Sequence, residues 1–385
     1  MEAVHHDALS THSAIYNNPD SNTFKQYDLI KLMSFCILGD CNAESCHHCF
    51  PVRNCSFKHD HCASHGMCRE IITRDDIILV TGCAGFIGSH VCEALLRRGE
   101  FVVGVDNMND YYDVALKQRN ISLISTFPNF IFLEEDICNS TAISKYKPIK
   151  IVHLASMAGV RYSIENPALY EKINIGGFIH IMQEAVKNGV KSVVYASSSS
   201  VYGLNTKIPF SEDDPIHTCN SPYACTKMAM EIFAKMYNQL YRIPIIGLRF
   251  FTVYGPRGRP DMAPYKFLTA IRQGKRFQKF GDGTTSRDYT YIDDIVAGII
   301  AALDNNKDIQ CAVYNLGNSS PVTLNEFIRI CEKVTGNKAI YNQVEQQLGD
   351  VPHTYADISK AKRDLDYNPK TGLEDGLRLF HESLE

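Results

Sequence analysis

The stretch that most constrains this chain is Leu79-Val80-Thr81-Gly82-Cys83-Ala84-Gly85-Phe86-Ile87-Gly88. The apolar run from Ile77 to Val80 reads as a buried strand, and Phe86, Ile87, Val91, Ala94 and Leu95 recur at helical spacing. Between them, Gly82, Gly85 and Gly88 allow a tight turn and close approach of backbone N–H groups to a pyrophosphate at the positive end of the helix. A second strand, Phe101 to Val105, ends in Asp106. An acidic side chain about twenty residues past the glycines is placed to accept hydrogen bonds from both hydroxyls of an adenosine ribose. It repels a 2′-phosphate, so the pattern predicts NAD rather than NADP.

From Asp75 onward, strands and helices alternate in the manner of an α/β, doubly wound parallel (Rossmann) sheet. Strands are expected near 76–81, 101–105, 130–134, 150–154, 191–196 and 245–250, with helices near 86–98, 113–125, 140–146, 167–188 and 223–241. At the carboxyl ends of these strands, Asp136-Ile137 suit the adenine edge. Leu154-Ala155 let a cofactor lie close to the backbone. The residues expected to hold NAD are therefore Gly82, Gly85, Phe86, Ile87, Gly88, Asp106, Asp136, Ile137, Leu154 and Ala155, joined by Tyr223 and Lys227.

The fifth strand runs into Ser197-Ser198-Ser199-Ser200, which puts hydroxyls in the crevice where ligands of open α/β sheets bind. Next comes Ser221-Pro222-Tyr223-Ala224-Cys225-Thr226-Lys227, a helix start with proline at its first position. Tyr223 and Lys227, four apart, share a helical face. Tyrosine is a poor base at its ordinary pKa of about 10. A fixed ammonium and a positive nicotinamide are expected to favour the phenolate.

At 385 residues and 45% hydrophobic, the chain is long enough for a sizeable core, and its net charge of −4 offers no basic surface for nucleic acid. No stretch approaches the roughly 18 to 20 apolar residues of a membrane span. The N-terminus, acidic and rich in histidine, lacks the signature of a signal peptide, so a cytoplasmic location is expected. Seven of the fourteen cysteines precede residue 70. Residues 1–72 thus read as a Cys/His-rich extension without a packed core. There the spacing of Cys46-His47-His48-Cys49 suits zinc, but Cys62, His65 and Cys68 match no standard ligand pattern, and no metal is expected.

From about residue 75 the chain resembles the extended short-chain dehydrogenase/reductase family, and within it the nucleotide-sugar epimerases. The glycine turn, Asp106, the serine-bearing strand end and the Tyr223/Lys227 pair carry the resemblance. It implies catalysis by Ser198, Tyr223 and Lys227, with Ser200 the runner-up serine. Ala158 to Ser163, Ser197 to Gly203, Arg249 to Pro256 and Gly258 to Ala263 look most like the UDP-glucuronate 4-epimerases. Galactose-type epimerases usually have asparagine where this chain has Thr252, and 4,6-dehydratases usually have an acidic pair where it has serines. The implied reaction interconverts UDP-glucuronate and UDP-galacturonate through a 4-keto sugar. The implied substrate contacts are Arg161, Asn174, Ser199, Ser200, Thr252, Arg259, Arg287 and Asp350, and the implied assembly is a homodimer. On this reading residues 73–385 form an NAD-binding domain with an interleaved C-terminal lobe for the nucleotide sugar, mainly 255–290 and 318–385. The alternatives are a UDP-glucuronate decarboxylase, a 4-epimerase of a neutral UDP-sugar, or a scaffold that binds nucleotide sugar without turnover.

Overall fold

A computed structural model describes residues 77–305, 309–345 and 351–384. The Cys/His-rich extension, with its cysteines and histidines, and Asp350 lie outside the described residues. In chain order the strands are β1 Ile77–Thr81, β2 Phe101–Asp106, β3 Phe130–Glu134, β4 Lys150–His153, β5 Ser192–Ser198, β6 Ile245–Phe250, β7 Thr252–Tyr254, β8 Phe277–Phe280, β9 Ser286–Tyr291, β10 Cys311–Leu316, β11 Pro321–Thr323 and β12 Tyr341–Val344. The first helices are α1 Phe86–Arg97, α2 Val114–Ile124, α3 Ala142–Tyr146, α4 Val160–Glu165, α5 Pro167–Tyr170 and α6 Phe178–Asn188. After them come α7 Pro222–Tyr241, α8 Ala263–Arg272, α9 Ile292–Leu303, α10 Leu324–Thr335, α11 Ser359–Leu365 and α12 Leu373–Glu382.

Seven strands form a wholly parallel sheet in the order β10-β6-β5-β4-β1-β2-β3. Every residue of β1, β2 and β6 is buried. That is the reason these strands read as mostly apolar runs rather than alternating ones: helices cover both faces of the sheet. From β1 the chain winds outward to β3, then returns to the other side of β1 as β4. Adjacent crossovers diverge there, opening a crevice beyond the carboxyl ends of β1 and β4. All six expected parallel strands are present. The seventh, β10, pairs with β6 in register from Cys311 opposite Ile245 to Leu316 opposite Phe250.

The single helix expected over 167–188 is instead α5, a π-helical turn over Glu171–Gly177, and α6. The wide turn brings Asn174, fully buried, against the strand-end loop after β4. Its Oδ1 accepts from Met157 N at 2.7 Å, and its Nδ2 donates to Met157 O at 3.0 Å and to Thr226 Oγ1 at 3.0 Å. Side-chain bonds to a neighbouring loop thus accompany a helix that departs from regular spacing, as such turns commonly do near functional sites.

Helix α7 begins as its sequence requires. Ser221 Oγ accepts from Ala224 N at 3.2 Å, Pro222 opens the first turn, and Arg242 closes the helix at φ +58°. Smaller sheets, β11-β9-β7 and β12-β8, are built from residues after β6. Among the described residues no helix is long and apolar enough to cross a membrane.

Candidate active site

The crevice at the carboxyl ends of β1, β2, β4, β5 and β6 is a cavity of about 640 Å³. Gly82, Gly85, Phe86, Ile87 and Gly88 line one end. Gly82 has φ +72°, and a Cβ added to it would lie 2.8 Å from Ala155 N; one added to Gly88 would lie 2.0 Å from Gly82 O. Side chains at those positions would collide with the backbone of Ala155 and of the turn itself. The first turn of α1 carries no acidic residue and its Gly85 cap offers no side chain, so the N–H groups stay open to an anion.

Asp106, at the end of β2, is buried; its carboxylate accepts from Ala84 N at 3.2 Å and Met108 N at 2.9 Å, and Lys117 Nζ stands 3.4 Å away. Asp136, Ile137, Leu154 and Ala155 complete this wall. A glycine cradle at a helix N-terminus beside a held carboxylate fits a dinucleotide with a free ribose diol.

Ser198, Ser199, Ser200, Tyr223 and Lys227 meet in the middle of the cavity. Ser198 Oγ accepts from Ser200 N at 3.1 Å, capping a short 3₁₀ turn over Ser199–Tyr202. Of the two candidate serines it is Ser198 that bears on the acidity of Tyr223, holding its pKa down against burial. Lys227 is almost fully buried, and its Nζ donates to Ala196 O at 2.7 Å and Ser156 Oγ at 3.1 Å. It stands 5.9 Å from the centre of the Tyr223 ring.

The acidities differ from the expectation of a phenolate stabilised by an ammonium. Burial pushes the Tyr223 hydroxyl above its ordinary value, outweighing the Ser198 hydrogen bond and the Arg259 charge. Burial likewise pulls Lys227 down to about 7. Removing both side chains from water disfavours both charges, and the protein alone supplies too little compensation.

Thr252 and Arg259 line the same cavity. Arg259 forms a two-pronged pair with Asp261, Nε to Oδ1 at 3.0 Å and Nη2 to Oδ2 at 2.6 Å, and its guanidinium lies 5.4 Å from the Tyr111 ring centre. Tyr111 donates to Asp261 Oδ2 at 3.4 Å and packs on Tyr162, ring centres 5.0 Å apart. Lys117, Tyr111, Tyr112, Ser156 and Asp261 were not singled out from the sequence. The signal for Tyr111 and Tyr112 was their place in the loop after the second strand, at the end of the sheet where ligands bind.

Three expected substrate contacts stand apart from the cavity lining. Arg161 lies over the Phe280 ring, 5.2 Å from its centre. Asn174 is consumed in holding Met157 and Thr226, and Arg287 donates from Nη1 to Ser286 O at 2.8 Å and Pro352 O at 3.3 Å.

Residues 78–317 match the model of the NAD dependent epimerase/dehydratase family. The chain belongs to this family. UDP-glucuronate 4-epimerase 4 of Arabidopsis thaliana is 46% identical over 323 residues, spanning 79% of this chain and 74% of that protein. Protein CapI of Staphylococcus aureus is 44% identical over 323 residues, 79% of this chain and 96% of its own. Among solved structures, UDP-glucuronic acid 4-epimerase from Bacillus cereus, in complex with UDP-glucuronic acid and NAD, superimposes with a TM-score of 0.77. It is 37% identical and covers 80% of this chain and 98% of that one. Within this NAD dependent epimerase/dehydratase, the glycine cradle and Asp106 occupy the crevice where the family name implies a dinucleotide.

Proposed function

We propose that the protein is an NAD-dependent 4-epimerase that interconverts UDP-glucuronate and UDP-galacturonate. One observation carries the reading: Ser198, Tyr223 and Lys227 line the same cavity as Thr252 and the cationic Arg259. Relatives named UDP-glucuronate 4-epimerases at 44–46% identity support it.

NAD, when bound, supplies a reversible acceptor for the hydride at sugar C4. Tyr223 takes the proton of the 4-hydroxyl at its phenolic oxygen and later returns one. Ser198, beside Tyr223 in the cavity lining, hydrogen-bonds the same substrate oxygen. Lys227 is fixed beneath the tyrosine by Ala196 and Ser156. Its positive form lowers the barrier to phenolate formation.

A 4-keto hexuronate is a β-keto acid, prone to lose carbon dioxide. Arg259 and Thr252 hold its carboxylate out of the orientation that releases carbon dioxide, the planar guanidinium matching a planar carboxylate. The protein acts as a homodimer through α7, whose outer face leaves Ile232 63%, Leu240 64% and Tyr241 50% exposed. A reducing, cytoplasmic setting suits the seven free thiols of the described residues.

The test is incubation of the purified protein with UDP-glucuronate. UDP-galacturonate is the expected product. A UDP-pentose would make the protein a decarboxylase, and turnover of UDP-glucose alone would overturn the acidic-sugar reading. Light scattering that gives a monomer at micromolar concentration would overturn the dimer.

A further inference from the structure

Behind the serines, out of reach of the cavity, sits a buried ion pair that the chemistry above does not use. Glu231 and Arg249 have side chains 7% and 4% exposed, and neither lines the cavity. They meet as a fork, Arg249 Nε to Glu231 Oε1 at 2.9 Å and Nη2 to Oε2 at 2.7 Å. Two arms leave the pair. Ser197 Oγ donates to Glu231 Oε1 at 2.5 Å, and Arg249 Nη1 donates to Tyr202 Oη at 2.9 Å. The guanidinium also lies 4.8 Å from the centre of the Tyr202 ring, and Tyr202 Oη donates onward to Asn315 Oδ1 at 2.7 Å.

Each member adjoins a working part of the site. Ser197 is bonded to Ser198, and Tyr202 ends the 3₁₀ turn that holds Ser199 and Ser200. Glu231 lies on α7 one turn past Lys227 and two past Tyr223, and Arg249 is three residues before Thr252 in the strand that leads into the cavity wall. The fork therefore ties the end of β5, which presents Ser198, to the helix that presents Tyr223. Backbone pairing alone does not fix that distance, because a strand and a helix share no ladder of hydrogen bonds. An ion pair this deep is weak evidence for stability, since removing both charges from water offsets much of their attraction. Its worth lies in geometry: planar, two-pronged contacts tolerate little rotation or slide.

We propose that Glu231 and Arg249, acting through Ser197 and Tyr202, are positioning residues that set the contact between Ser198 and Tyr223. The inference rests on the assignment of Tyr223 as the base, not on which sugar is turned over. The contact matters because Ser198, more than the Arg259 charge, holds the Tyr223 pKa down against burial.

The experiment compares Ser197→Ala, which cuts one arm and leaves the ion pair, with Ser197→Thr, which keeps the hydroxyl. Arg249→Lys, which keeps the charge and loses the fork, is the third variant. Tyr223 ionisation is read without substrate, as the pH titration of phenolate absorbance of each variant minus that of the same variant carrying Tyr223→Phe. Ser197→Ala and Arg249→Lys are expected to move the midpoint to higher pH, by about half a unit to one unit for one loosened hydrogen bond. Ser197→Thr is expected to restore it.

With UDP-glucuronate, kcat is expected to fall roughly tenfold in Ser197→Ala while KM stays within about twofold, as for a supporting group behind a catalytic one. An unchanged midpoint and kcat in Ser197→Ala, with melting temperature also unchanged, would refute the positioning role. So would equal losses in Ser197→Ala and Ser197→Thr, or a fall confined to KM. If the parent protein leaves UDP-glucuronate untouched, the substrate reading fails while the absorbance titration still decides the positioning claim.

Discussion

Lys227→Met should make the nucleotide-free protein more stable while abolishing its activity. In the folded chain Lys227 falls from the ordinary lysine value of 10.5 to about 7 because burial penalises the ammonium. Its pKa is thus depressed on folding, and below pH 7 the folded state must bear the whole cost of keeping the side chain charged. Between pH 7 and 10.5 the unfolded chain binds the additional proton, so that cost diminishes as pH rises and is gone above 10.5. The interval corresponds to about 4 to 5 kcal/mol at neutral pH or below, as an order of magnitude. Methionine has a similar length and no charge, but it forfeits the bonds to Ala196 O and Ser156 Oγ. Those are worth about 1 kcal/mol each, and the stranded acceptors reduce the gain further.

The net expectation is a gain of roughly 2 kcal/mol at pH 6, or about 3 °C in melting temperature for a domain of this size. The assay is scanning calorimetry of parent and Lys227→Met, both freed of nucleotide, at pH 6, 7, 8 and 9. The difference should be largest at pH 6 and shrink steadily toward pH 9. A variant that melts below its parent at pH 6, or a difference that does not change with pH, would refute the claim that burial rules the acidity of Lys227. An activator that is costly to the fold belongs with other cases where stability and activity conflict.

Other outcomes follow from the same geometry. Tyr223→Phe removes the proton acceptor, so kcat should drop about 10³-fold with UDP-sugar binding within a few-fold of the parent, by steady-state kinetics and calorimetric titration. Arg259→Met should raise KM for UDP-glucuronate by about 10- to 100-fold, the loss of one charge-assisted contact, and leave binding of UDP-glucose little changed. Gly88→Ala puts a Cβ 2.0 Å from Gly82 O, so dinucleotide binding should be lost in a titration that the parent passes.

The parallel strands were legible where both faces are covered. Ile77–Thr81 and Ile245–Phe250 are buried throughout and spell mostly apolar runs, the second broken only by Gly247 and the paired Arg249. By contrast β10 is an edge strand that begins with the exposed Cys311 and half-buried Ala312 and Val313, and Cys311-Ala312-Val313-Tyr314-Asn315-Leu316 carries a mixed pattern that points to no definite element. The cradle and the Tyr223/Lys227 pair were legible because turn and helix spacing are local properties. Asp261 was not: its partner Tyr111 is 150 residues away, and only the folded chain brings them together. Asn174 was expected to face the cleft, and the wide helical turn that directs it to Met157 has no signature in hydrophobic spacing.

That wide turn, Glu171–Gly177, contains one residue more than a regular helix needs. Deleting Gly176, whose position has open space around it, would let the hydrogen bonds relax into ordinary α-helical form. The turns on either side would keep their register, but the bulge that directs Asn174 to Met157 would be gone. Asn174 would swing off Met157, and the floor of the cavity would lose the clamp that holds the loop after β4. A more regular helix and an intact floor are therefore mutually exclusive here. A chain shortened by this one glycine should fold with a tidier backbone and a ruined site.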